Sequence, residues 1–152
     1  MGNTKISDIY KMFLLTIQDY RIKKMFIDTP EVADDLMQNF LMDAVSKFIN
    51  CSKQINELDF ENDTFFCELD IQEKTIIKDL MVIAWMNWNV NDITQMNWSL
   101  NDNDFRHFSE EKNLKEKSEY ADRLREKVSQ DMVNYGLSHT PFKEWAVGNY
   151  GL

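Results

Sequence analysis

The sequence predicts a mainly α-helical protein, a bundle around one central buried helix with a single small β-hairpin. Three observations predict it. First, the stretch 70–98 is apolar too far round for a one-sided helix. Ile76, Leu80, Ile83 and Ala84 form one stripe, and Ile77, Met81, Trp85 and Trp88 form a second beside it. Second, apolar residues recur at three- and four-residue spacing in three further segments and alternate with polar ones only between 50 and 69. Third, Gly (4) and Pro (2) are scarce in 152 residues, which suits long helices and short loops. A chain of this length forms one domain, 1–152, large enough for a core without metal or disulfide.

Ser7 is placed to cap a first helix running to about Ile27. Ile9, Met12, Phe13, Ile17 and Tyr20 mark its buried face, widened by Leu14, Leu15 and Ile22. Arg21, Lys23 and Lys24 would then fall in its last turns, where cations suit the helix dipole. Thr29-Pro30-Glu31 reads as a helix start, with a cap, Pro at the first position and an acid in the first turn. This second helix runs to about Ile49, with Val32, Leu36, Phe40, Ala44 and Phe48 on its face and Met37, Leu41 and Val45 on the flank. So short a link places the two helices side by side and antiparallel.

Residues 50–69 read as a hairpin insertion. Leu58 and Phe60 alternate with Glu57, Asp59 and Glu61, and Asn62-Asp63 is a turn pair before Thr64–Leu69. A lone hairpin is marginal in water. It is therefore either a flap covered by the helices or an edge that pairs with another chain.

Asp70 and Glu73 have the spacing of a capping box at the start of the central helix. Beyond Met86 the sequence turns polar, and the helix either breaks near Asn91 or continues through Ile93, Met96 and Trp98. Asn101–Asp104 reads as a loop. Counted as a calcium loop from Asn101, its sixth residue is Arg106 and its twelfth Lys112, where Gly and Glu are needed. Ser109 caps the last long helix, whose thin apolar line is Leu114, Ala121, Leu124, Val128 and Met132, with Tyr120 at the edge. A narrow stripe with charged flanks suits a peripheral helix or one shared with a neighbouring subunit. Gly136 is expected to stop it as a left-handed cap, with Leu137 making the accompanying contact. Residues 137–152 form a docking tail that either tucks onto the chain's own core or inserts into a partner, and in it Thr140-Pro141 opens a short helix carrying Phe142, Trp145 and Ala146.

The net charge of −9, from 26 acidic and 17 basic residues, disfavours gripping nucleic acid or an anionic membrane. No window is apolar enough to span a bilayer. Cys51 and Cys67 sit in no CxxC pair, and free thiols are the expectation. His107 and His139 lie in no zinc motif, and neither a phosphate loop nor a GxSxG serine occurs. Acid pairs such as Glu116 and Glu119 alternate with Lys and Arg, as on a solvated face. The expectation is a protein without enzyme activity, cofactor or metal.

Leu80-Met81-Val82-Ile83-Ala84-Trp85-Met86, Ile93 with Gln95, Asp104-Phe105 with Ser109, and Leu114 together form a pattern. Over about Leu69–Leu124 it resembles the head–tail connector, or neck adaptor, proteins of long-tailed phages. The resemblance implies a virion protein made in the host cytoplasm. It implies a ring of usually twelve copies beneath the portal protein, extending the DNA channel and presenting a platform to the next neck or tail protein. In such adaptors a C-terminal segment often docks into the portal. Here that role would fall to Phe142, Trp145 and Tyr150. DNA would pass nearby without specific binding. The other reading is a phage-encoded cytosolic module that binds a host protein through its acidic surface.

Overall fold

The computed structural model describes residues 2–99 and 104–140, with side chains described over 2–91 and 115–140. The element order is α1 (Ile6–Ile17), α2 (Tyr20–Asp28), α3 (Pro30–Lys47), β1 (Leu58–Asp59), β2 (Thr64–Phe65), α4 (Ile71–Ser99) and α5 (Asp104–His139). The protein is mainly helical with one two-stranded antiparallel hairpin, in which Leu58 pairs with Phe65 and Asp59 with Thr64.

α4 is the central element, and α1, α3 and α5 all pack against it. Every residue from Ile76 to Ala84 is buried except Lys78, and Met86 is buried as well. The two stripes therefore merge into a helix covered on several sides, which removes several side chains' worth of apolar area from water. The helix does not break at Asn91 but continues to Ser99. Its start is the expected capping box: the Glu73 amide donates to Asp70 Oδ1 and the Asp70 amide to Glu73 Oε1, each at 2.8 Å.

The first predicted helix is two helices. Gln18 takes the left-handed conformation (φ 48°) and ends α1, its amide donating to the Leu14 carbonyl at 3.1 Å. Asp19 then caps α2 by accepting the Arg21 amide at 2.9 Å. The elbow leaves Tyr20 and Leu15 exposed rather than buried. It also moves Arg21 from a last turn to a first turn, so its partner is a carboxylate and not a helix C-terminus. Ser7 is no cap either. It lies inside α1, and its amide and hydroxyl donate to the Asp63 carboxylate at 2.8 and 2.6 Å.

Pro30 opens α3 as expected, but the helix ends at Lys47 and its buried face is rotated. Ala33, Met37, Leu41 and Val45 join Phe40, Ala44 and Phe48 inside, while Val32 stands in water. α2 packs on α3.

The hairpin is shorter than its sequence span and is a covered flap along its β2 edge. Phe65 is fully buried. Lys5 bridges to Thr64, and backbone bonds join Thr4 to Cys67 and Phe65, and Ile6 to Asp63. Asp63 holds a left-handed turn conformation (φ 56°) in the expected Asn62-Asp63 turn.

α5 begins at Asp104, so Ser109 lies within the helix and does not cap it. Of the expected loop, residues 101–103 fall outside the described residues. Ala121 and Val128 are buried against the core and Leu124 and Met132 are half-buried, as their spacing predicts. Gly136 does not stop the helix. Its φ is not positive, α5 runs on to His139, and Leu137 is exposed. No described helix is long and apolar enough to cross a membrane.

Candidate interaction site

Phe142, Trp145 and Tyr150, the residues expected to bind a partner, lie outside the described residues, as does the short helix expected at Pro141. What the described residues offer is two polar clusters and a groove between helices.

The first cluster surrounds Glu73, whose side chain is fully buried at the N-terminus of α4. Lys53 donates to its Oε1 at 2.6 Å, and Tyr135 from α5 donates to its Oε2 at 2.7 Å. The Ser52 amide donates to the Tyr135 oxygen at 3.1 Å, with the Ser52 hydroxyl 2.6 Å away. Phe48 and His139 rings flank the phenol, at 5.2 and 4.0 Å between centroids. Burial pushes the Glu73 carboxyl pKa up, but the donors from Lys53, the Asp70 amide and Tyr135 outweigh it, so the group titrates below its ordinary value. Tyr135 goes the other way, pushed up to about 12, chiefly by burial. Both Glu73 oxygens are taken by protein donors, which makes this cluster a brace between α4, α5 and the loop after α3. A second brace, buried Asp79, accepts Lys127 of α5 at 3.1 Å and pairs with Lys78 at 2.7 Å.

The second cluster forms at the α1–α2 elbow. Asp19 accepts Trp85 Nε1 at 3.0 Å and pairs with Arg21 at 3.2 Å. The Arg21 guanidinium lies 5.2 Å from the Trp88 ring centroid and also donates to buried Asn89. Burial raises the Asp19 pKa, and the bonds from Arg21 and Trp85 bring it below its ordinary value. The aromatic pattern 85–88 read as core is thus also the platform for this elbow. Sequence spacing gave no signal for Tyr135, whose polar partner is 62 residues away.

Among the described residues no group of His, Cys, Asp and Glu is placed to hold a metal ion. Cys51 and Cys67 are free and half-buried, and burial pushes both thiols' pKa up, away from reactive thiolate. An apolar groove of about 480 Å³ lies where the end of α3, the middle of α4 and the second half of α5 meet. Its walls include Leu80, Ile83 and Met132, with Ile49 on the rim. A groove with apolar walls and exposed aliphatic rims suits contact with another protein surface. No protein-family model matches the chain, and comparison with curated proteins and with solved structures gives no significant match.

Proposed function

We propose that this chain acts by assembly, as a non-enzymatic subunit of a ring-shaped head–tail connector that joins a tailed phage's portal to the next neck or tail protein. The observation that carries an assembly role is the outer surface of α2 and α3. Large aliphatic side chains stand in water there, Ile27 at 81% exposure and Val32 at 53%, and Ile49, just beyond the end of α3, is 62% exposed. They do so on a chain whose net charge of −9 would otherwise hold copies apart. The pattern over Leu69–Leu124 supports a connector as the kind of assembly. That stretch falls on the chain's two longest helices, α4 and α5, which pack against each other.

In this role the acidic surface repels DNA phosphates, so a duplex slides through the ring without being held. Phe142, Trp145 and Tyr150 are the residues assigned to the portal. Mass spectrometry of purified particles tests the reading. The expected result is this chain at the portal's copy number. A chain missing from particles and small in solution would instead be the cytosolic module that binds a host protein.

A further inference from the structure

We propose that copies of this chain bind one another head to tail, the α2–α3 corner of one copy seating in the α3–α4–α5 groove of the next. The inference rests on the assembly reading and names the contact that reading requires. The groove is apolar within, and the charged side chains lining it are Lys47 and Arg125, with no carboxylate among the lining residues. The corner has the opposite character. Ile27 stands near the end of α2 and Val32 in the first turn of α3, both in water. Exposed Asp28, Glu31, Asp34 and Asp35 are their neighbours in sequence, against Lys23 and Lys24 one turn earlier on α2. An aliphatic knob with an acidic collar therefore matches an aliphatic slot with a basic rim.

Lys47 and Arg125 already pair with Asp43 at 3.0 Å and Asp122 at 2.7 Å. Both are exposed pairs within one helix, of the kind that contributes little and re-forms readily with another carboxylate. Corner and groove lie at opposite ends of α3, about 25 Å apart at 1.5 Å per residue. One copy cannot satisfy both surfaces by itself. A contact between two different patches propagates, closing into a ring or running on as a filament.

Two double reversals test this by sedimentation velocity at millimolar wild-type and variant protein. Wild type is expected to self-associate. Lys47→Glu with Arg125→Glu spoils the groove, and Glu31→Lys with Asp35→Lys spoils the corner. Each alone is expected to weaken association at least roughly tenfold. Mixing the two variants restores it, because reversed corner then meets reversed groove. Should either variant lose its helical signal, Val32→Asn and Ile49→Asn repeat the test by removing apolar contact. A monomeric wild type overturns the proposal, as does an oligomer that neither reversal disturbs. Ring or filament with rescue on mixing supports it. The particle test is independent: association without presence in particles keeps this contact and removes the connector reading, and the converse removes only the contact.

Discussion

The start and the middle of α4 are braced by the same kinds of group at different depth. At the N-terminal end Glu73 is sealed in, and all its partners come from protein. At the elbow, Asp19 holds Trp85 and Arg21; its own side chain is only 8% exposed, but Arg21 is 48% exposed, so water reaches the cluster on the guanidinium side. The comparison teaches that solvent access decides the worth of such clusters more than the number of bonds does. A donor that loses its partner in water finds another, whereas one that loses it in the core does not.

The largest expected effect is therefore at the sealed end. Glu73→Ala removes the capping box and the shared acceptor of Lys53 and the Tyr135 hydroxyl, and should cost about 3 kcal/mol in urea unfolding. The linked pH effect comes next. Glu73 titrates below the 4.5 of an ordinary glutamate. Its contribution is thus complete above that value and is lost as the pH falls through the depressed one. Urea midpoints taken from neutral to acid pH should fall steeply for wild type and less steeply for Glu73→Gln. At the elbow, Asp19→Ala removes a cap and a tryptophan acceptor that water can partly replace, and should cost only about 1 kcal/mol. Equal losses at Glu73 and Asp19 would break the comparison. Smallest is a gain. Gly136 sits in a helix with an ordinary φ, and a Cβ there would meet only the Asn50 Cβ, at 3.9 Å. Gly136→Ala should raise stability by about 0.5–1 kcal/mol, read as a higher melting temperature.

Much of the fold was legible because it depends on spacing within single segments. The α4 stripes, the Asp70–Glu73 box and Pro30 are local signals, and each forms as its spacing predicts. The elbow was not legible, since apolar residues keep helical spacing straight through Gln18 and no Gly marks the left-handed turn. Asp19 caps α2 with one carboxylate oxygen and accepts Trp85, 66 residues away, on the other, a contact that spacing along the chain does not show. The rotation of α3 was hidden for a similar reason. Val32 and Leu36 continue a valid stripe, but packing on α4 and α2 selects the neighbouring face with Ala33, Met37 and Leu41. Gly136 reads as a stop only in isolation. The brace between Tyr135 and the start of α4 lies just before it and anchors the last turns of α5. Of the interaction site, the apolar content was legible and its three-helix setting was not, because a groove is a relation among elements.

The seam between Thr4–Ile6 and the hairpin sets an order of events during synthesis. The Thr4 hydroxyl accepts the Leu69 amide at 2.8 Å across 65 residues of sequence. At a ribosome's pace of about 5–20 residues per second, these opening residues emerge seconds before their partners exist. They stay hydrated until the hairpin arrives, so this corner closes last among the contacts of the first half. A bulky fusion placed directly ahead of Thr4 would obstruct that late stitch while sparing the helices made after it.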